Sequence, residues 1–579
     1  MTRAGFSKLW PWLASAAGGA GLAFCFAPWN VSEIVWFWQV PIFFALWFGP
    51  VPDETRRWRR GFGLGYAAGL AFFLVNLHWL FEMRKVGGSI WAGIGAWLAL
   101  PAYLALYLGA WGAFAATVGR WRPDFAQAGA KSKLGDLFGP SVAVIAVAAL
   151  NAAAWCGLEW LRARIFGGFG WNGLGVALHG SLYLIQLADT VGATGLAFPI
   201  VFCNAVWTAT LVRIAREMRE RGRPRPHLDF AVAVCAIMGL FLYGLTRLLS
   251  RPAPEDTVEL RTLVMQMNIP IDVKEEEDLR QWVADYEELT RAFVESSDYD
   301  LVLWPETALP GRLSYPWVRT YLNDHILRGD DFSLMLGIET DDFDEESERI
   351  YNSAVLLKGS TMDVQIHRKL HLVPFGEYIP WRRSFPVFDW IAGGLVPKDF
   401  TAGESFEPLT LTKRDGETVG IVPLVCFEDT MGRLARRFVR PGPQLMVNVT
   451  NDAWFYQSPL SAQHLANAKL RCVELRRPMA RAANTGVSAY IDETGSLEDP
   501  GAPPGLAERE RLRVIQDPRD GNTFVRGTLP GRLRLSRSGP VTFFARFGDV
   551  FSLAAGLVAA LFAGRATGFP RWGRKRARP

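Results

Sequence analysis

The sequence predicts a multi-span α-helical membrane bundle of about eight transmembrane helices joined to one α/β domain. Three observations predict it. Residues 1–250 hold successive apolar stretches near the ~20 residues that a helix needs to cross the hydrocarbon core, and one more lies near the C-terminus. Residues 255–540 hold no comparable stretch and instead alternate short β-rich runs with charged, polar segments. The composition, 50% hydrophobic with 23 Trp and 38 Phe at a mean hydropathy of +0.10, is too apolar for an ordinary soluble enzyme and too polar for a bundle alone.

The apolar stretches run over about 8–26, 31–50, 61–81, 89–118, 139–161, 189–212, 228–249 and 546–564. Arg3 and Lys8 ahead of the first resemble the start of a secretory signal, but the run extends through Phe24 and Phe26 into Trp29 and further spans follow, which favours a retained helix. Short cytoplasmic loops carry the Lys and Arg excess, and this orients the bundle. Arg56, Arg57, Arg59 and Arg60 follow the second span; Arg120, Arg122, Lys131 and Lys133 follow the fourth. Arg213, Arg216, Arg219, Arg221, Arg223 and Arg225 follow the sixth, and the tail adds Arg565, Arg571, Arg574, Lys575, Arg576 and Arg578. Loops after odd-numbered spans hold mainly Arg84, Lys85, Arg162 and Arg164. Both termini are therefore expected inside. The expected organisation is a bundle over 1–250 with about seven helices, an extracytoplasmic catalytic domain over 255–540, a last span at 546–564 and a basic cytoplasmic tail at 565–579. The outer loop at about 162–188, rich in Gly, Phe and Trp, suits either a re-entrant or interfacial segment or an ordinary connection.

Within 255–540, Leu263–Met267, Leu301–Trp304, Ser333–Gly337, Ala354–Leu357, Val419–Val425 and Leu445–Val449 read as short strands, and 276–297 and 461–477 as amphipathic helices. Strands that are nearly all apolar, alternating with helices, predict a sheet covered on both faces. The net charge of +5 does not indicate nucleic acid, because the arginines cluster beside apolar segments rather than on one compact domain. Six cysteines form no CxxC pair, and four (Cys25, Cys156, Cys203 and Cys235) lie in apolar runs where they act as small hydrophobes. A bridge between Cys426 and Cys472 is the one redox alternative.

Two apolar runs end in reactive side chains, and a third segment between them leads to a lysine. Tyr299–Trp304 leads to Pro305-Glu306, Val364–Arg368 leads to Lys369, and Val419–Val425 leads to Cys426-Phe427-Glu428-Asp429. Strand ends in α/β sheets hold side chains rigidly at a crevice. A cysteine attacks an acyl carbonyl best as thiolate, a carboxylate can take its proton, and an ammonium can stabilise the oxyanion. Singly, each has a plainer reading: a loop carboxylate, a solvated cation, an inert core cysteine. Cys472 reads as a packing residue on the 461–477 helix, and His371 and His464 as hydrogen-bonding residues; no cluster has metal-site spacing.

The words Trp304-Pro-Glu306, Lys369-Leu-His-Leu-Val-Pro-Phe-Gly-Glu377, Cys426-Phe-Glu428 and Asn451-Asp-Ala-Trp-Phe455 resemble the carbon-nitrogen hydrolase (nitrilase) superfamily and, within it, the apolipoprotein N-acyltransferase family. The resemblance implies a nitrilase-like αββα sandwich outside an eight-helix bundle of the bacterial inner membrane, facing the periplasm, with no cofactor and no metal. It implies Cys426 as nucleophile, Glu306 as general base and Lys369 as oxyanion stabiliser, with Glu377 and Glu428 in support. Gln266, Asn352, Phe427 and Asn451 become candidate site-lining residues, with Asn268, Tyr351 and Ser353 beside them. Two positions depart from the family pattern: Phe427 and His367 stand where tyrosine is common.

The reaction implied is transfer of an acyl chain from the sn-1 position of a membrane phospholipid, through a Cys426 thioester, to the N-terminal amine of a diacylated apolipoprotein. Ping-pong kinetics follow from the covalent intermediate. Aromatic residues of 375–393 (Phe375, Tyr378, Trp381 and Trp390) suit a lid. Two other readings remain at this point: a membrane-tethered amidohydrolase using water, and a non-catalytic membrane scaffold.

Overall fold

The computed structural model describes residues 3–566 apart from 52, 87–89, 123–132, 272–275, 345–346, 362, 385–388, 390–395 and 504. All eight apolar stretches contain helix. The helices are Arg3–Ala23, Val40–Phe48, Arg57–Asn76, Ile90–Ala116, Lys133–Arg162, Ala197–Arg221, Leu228–Leu249 and Val550–Ala566. Among the described residues, four helices are by length and composition sufficient to cross a membrane: Gly93–Ala116, Leu137–Arg162, Ala197–Glu220 and Leu228–Leu249. A fifth counts if Glu54–Asn76 and His78–Val86, bent by 55°, form one span, while Ser32–Phe48 and Val550–Ala566 are apolar but shorter. The sixth predicted stretch is divided, because Ala188–Gly195 is kinked at Gly192 (φ 72°) before Ala197–Arg221 begins. That second helix runs on through Arg213, Arg216, Arg219 and Arg221, which the sequence placed after the span.

Small residues set the closest packing in the bundle. Gly61, Gly65 and Gly69 recur every fourth residue along Arg57–Asn76 and face Ile90–Ala116; a Cβ at Gly65 would meet the Leu108 carbonyl oxygen at 2.2 Å. With no hydrophobic drive between helices in lipid, such close backbone approach is a main source of association.

The strands are β1 (Thr257–Gln266), β2 (Leu301–Leu303), β3 (Ser333–Asp344), β4 (Ser347–Lys358), β5 (Val364–Arg368), β6 (Leu409–Thr412), β7 (Thr418–Val425), β8 (Gln444–Thr450), β9 (Met479–Ala483), β10 (Ala489–Ile491) and β11 (Gly527–Ser536). They form a six-stranded sheet, β11-β1-β2-β3-β4-β5, and a five-stranded sheet, β10-β9-β8-β7-β6. β1, β2 and β3 are parallel, as are β7, β8 and β9; the outer pairs are antiparallel.

Strand alternation divides the apolar residues between two layers of core. Leu301 and Leu303 of β2 point between the sheets, with Ile421 and Val425 of β7 and Val447 of β8. Val302 and Trp304 point the other way, onto Tyr286 of the Glu276–Val294 helix. On the far sheet, Val422, Leu424 and Met446 pack against Ala468, Cys472 and Leu475 of the Leu460–Leu475 helix. The result is a helix–sheet–sheet–helix sandwich. The Leu460–Leu475 helix is buried on its other side as well, where Leu460, Ala466, Leu470 and Val473 join the core of the membrane-type helices.

Candidate active site

β7 ends at Cys426, whose φ of 53° lies in the left-handed region. A non-glycine residue held there costs roughly 1–3 kcal/mol, and such strain persists where the surroundings over-determine it. They do so through Glu428, in the tight turn Cys426–Thr430. Its buried carboxylate accepts from the Val425 N–H at 2.9 Å, the Leu370 N–H at 2.7 Å and the His371 N–H at 3.0 Å. Burial opposes its charge, yet the His367 imidazole and the backbone donors hold its pKa below the usual carboxylate range.

Glu306 follows β2 through Pro305. Its turn is pinned to β3, with the Gly337 N–H donating to the Pro305 carbonyl at 3.0 Å and the Ala308 N–H to the Gly337 carbonyl at 2.9 Å. A Cβ on Gly337 would lie 2.5 Å from the Glu306 Cα, so only glycine admits this turn. The Glu306 carboxylate is buried, accepts from Asn352 Nδ2 at 2.7 Å and interacts with the Cys426 thiol. Burial raises its pKa, which Glu377 reinforces and Lys369 opposes.

Lys369 leaves β5 with its N–H bonded to the Asn352 carbonyl at 2.8 Å. Its ammonium is 1% exposed, donates to Glu377 Oε1 at 2.8 Å and lies 3.8 Å from Glu306 Oε1. Burial disfavours the cation, but Glu377, Cys426 and Glu306 together push its pKa above the ordinary lysine value. It is therefore a fixed positive charge. Glu377 also accepts from Asn352 Nδ2 at 2.7 Å and from the Val373 N–H at 2.8 Å, so it orients both neighbours.

Cys426 is only partly exposed, and burial followed by the Glu306 charge pushes its thiol pKa well up. At rest the proton stays on sulfur. A neighbouring carboxylate with a raised pKa can take that proton as the sulfur attacks, while the ammonium can stabilise the charge that develops.

The structure thus brings Glu306, Lys369, Cys426, Glu377, Glu428 and Asn352 together. Gln266 and Asn451 serve the scaffold around them. Gln266 donates to the Thr523 and Val525 carbonyls at 2.6 and 2.8 Å and accepts from Ser488 Oγ at 2.7 Å. Asn451 Oδ1 accepts from the Ala453 N–H and from Asn484 Nδ2, each at 3.2 Å. In the expected lid, Trp381 is exposed with its ring 6.2 Å from that of Phe166; Trp390 lies outside the described residues. Cys472 is a fully buried core residue, and all six cysteines are free thiols. Burial, with Arg433 beside it, pushes the His371 pKa down to about 4. Among the described residues there is no His, Cys, Asp and Glu group placed to hold a metal.

Three features escaped sequence reasoning. Phe427 stacks on Phe169 and Trp171 of the 162–188 loop, at 5.8 and 5.9 Å between centroids and 14° between planes in both pairs. The loop's run of Phe, Gly and Trp was the available signal. Gln463 accepts at Oε1 from Trp79 Nε1, Trp171 Nε1 and Asn172 Nδ2, and donates through Nε2 to the Ala27 and Asn76 carbonyls. Behind the nucleophile, Asn448 donates to the Cys426 carbonyl at 3.0 Å and accepts from Arg481, which pairs with Asp429 and Asp452; His464 bridges the same two aspartates. No spacing in the sequence announces either network.

Comparison with known proteins agrees with this architecture. Residues 18–206 match the apolipoprotein N-acyltransferase N-terminal domain, and residues 263–498 match the carbon-nitrogen hydrolase domain. An apolipoprotein N-acyltransferase of Geobacter metallireducens is 30% identical, with 95% of each chain covered. One of Caulobacter vibrioides is 32% identical over 87% of this chain and 90% of its own. Among solved structures, an amidase from Nesterenkonia sp. is similar over 47% of this chain and 90% of that one, at 17% identity and a TM-score of 0.29. With two domain matches in the expected order and relatives of such identity along almost the whole length, the chain belongs to the apolipoprotein N-acyltransferase family.

Proposed function

We propose that Cys426 takes an acyl chain from the sn-1 position of a membrane phospholipid and passes it to the N-terminal amine of a diacylglyceryl-cysteine lipoprotein. Glu306 takes the thiol proton as sulfur attacks the ester carbonyl, and Lys369 stabilises the tetrahedral oxyanion. Collapse breaks the ester C–O bond; Glu306 returns the proton to the departing lysophospholipid oxygen and a thioester remains. The lipoprotein amine then attacks the thioester. Its proton passes through Glu306 to the leaving thiolate, and an amide is formed.

The observation that carries this reading is the stack of Phe427, next to the nucleophile, on Phe169 and Trp171 of the helical membrane region. With Cys426 beside the helical membrane region, this stack supports a site in which the acyl chains of both substrates stay buried. Extracting them would cost about 0.8 kcal/mol per CH₂. The same aromatic wall favours a site that excludes water while the thioester waits for its second substrate. The reading includes the eight-span count, the domain bounds drawn from the sequence and an inner-membrane location. Both termini are then in the cytoplasm and the sandwich is in the periplasm, as the arginine distribution supports.

The test is intact-mass spectrometry of the full-length protein with defined phospholipids. An acyl adduct is expected that decays slowly in buffer and is discharged rapidly by a diacylated lipopeptide with a free N-terminal amine. The N-acetylated lipopeptide leaves it in place. Cys426→Ala forms no adduct. Equal discharge by water or by the acetylated peptide would make the chain a hydrolase, and an adduct on Cys426→Ala would displace the nucleophile.

A further inference from the structure

His367 lies on β5 two residues before Lys369, and it is 2% exposed. Its ring sits edge-on to Phe438 at 5.4 Å between centroids. Nε2 lies 3.6 Å from Glu428 Oε2 and has no closer hydrogen-bond partner among the described residues. Glu428 is fully buried, and its three backbone donors belong to two different pieces of chain. Leu370 and His371 follow Lys369 directly, whereas Val425 precedes Cys426. This one carboxylate therefore staples the lysine strap to the nucleophile elbow. A buried carboxylate without a cation is costly, and the Lys369 ammonium is engaged by Glu377. The His367 imidazole approaches Glu428 Oε2, the oxygen that otherwise accepts from the Val425 N–H.

We infer that His367 is a positioning residue whose imidazole, with Nε2 3.6 Å from Glu428 Oε2, holds that carboxylate in place and through it sets the gap between Lys369 and Cys426. At 3.6 Å the contact is electrostatic rather than a formed hydrogen bond, so His367 biases the carboxylate without competing with its backbone donors. The inference rests on the roles proposed for Lys369 and Cys426.

The test is the rate of acyl-enzyme formation by the full-length protein in phospholipid nanodiscs, at saturating donor. His367→Phe keeps a ring against Phe438 and removes the donor; His367→Tyr adds one hydroxyl to it. The Phe variant is expected to acylate roughly tenfold more slowly than wild type and the Tyr variant to recover to within about threefold, the loss being kept near the lower end for a polar contact to a charged group because none is fully formed at 3.6 Å. A Phe variant as fast as wild type overturns the inference, as does a Tyr variant as slow as Phe. If thermal denaturation shows the Phe variant unfolded, His367→Gln against His367→Met gives the same contrast of donor and no donor. Cys426→Ala in the same assay separates the two readings. An adduct surviving there removes the proposed chemistry, whereas its loss there together with equal Tyr and Phe rates removes His367 alone.

Discussion

Gly337→Ala provides a sharp test of the general base, because it shifts Glu306 without replacing any candidate catalytic side chain. The new Cβ would stand 2.5 Å from the Glu306 Cα and 3.0 Å from the Pro305 carbonyl oxygen. Carbon atoms pack at about 3.5–4.0 Å, so the Glu306 turn must retreat by about 1 Å. It cannot do so freely, because the Gly337 N–H holds Pro305 and the Gly337 carbonyl holds Ala308. Misplacement by about 1 Å costs on the order of 10²-fold in rate, and overpacking costs roughly 1–3 kcal/mol of stability. Acyl-enzyme formation should therefore slow by about 10²-fold in a protein that still folds, and Glu306→Gln should slow it by about 10²- to 10⁴-fold. Gly501→Ala, where the new Cβ would stand 3.4 Å from Asp499 Oδ1, serves as the control that should leave the rate unchanged. Rapid-quench intact mass reads the adduct, and a thermal midpoint reads the fold. A folded Gly337→Ala protein that acylates within about threefold of wild type would show that the position of Glu306 does not govern the step, and Glu306 would lose its role as base.

Two further outcomes are expected. Burial raises the Glu306 pKa, and the base must be ionised to accept a proton, so acylation should fall with decreasing pH through a limb displaced above the usual carboxylate range; a limb of the same midpoint in Glu306→Gln would assign it to another group. If the arginine bias orients the bundle as proposed, a cysteine replacing exposed Ser296 should react with a membrane-impermeant thiol reagent in intact spheroplasts and one replacing Arg223 should not; the reverse pattern would put the sandwich in the cytoplasm.

The sandwich was legible where strands are buried on both faces. Leu301–Trp304, Val419–Val425 and Leu445–Val449 fall on β2, β7 and β8, central strands whose apolar runs have no polar side to disguise them. β6, β9, β10 and β11 were not read. β11 alternates arginines with apolar residues around Pro530 at a sheet edge, and β9 reads Met-Ala-Arg-Ala-Ala, a helix-like composition overridden by parallel pairing with β8. The membrane count was less legible, because hydropathy marks apolar stretches without saying whether each is long enough as a helix; Val40–Phe48 and Val550–Ala566 are short. Of the site, Glu306 and Cys426 could be found because each closes an apolar run, and Lys369 because it opens the Lys369–Glu377 word that carries the resemblance. Gly337 could not, since its role depends on how β3 sits beside the turn after β2.

Gln463 shows why the chemistry and the membrane part have to be considered together. A single amide oxygen takes three donors from the helical region, and its nitrogen donates to two carbonyls there. Each of those groups, if buried and unpaired, costs about 1–3 kcal/mol, so the junction holds only in the one arrangement that satisfies all of them. Gln463 belongs to the Leu460–Leu475 helix, whose Ala468 and Cys472 pack on the sheet that ends in Cys426. One of its donors is Trp171, which stacks on Phe427 beside that same cysteine. The hydrogen-bonded junction and the aromatic stack thus close a loop through the nucleophile. Any movement of the Trp171 loop relative to the sandwich must either break the amide's bonds or shift the wall of the site, and this ties the geometry at Cys426 to the fold of the lipid-facing helices.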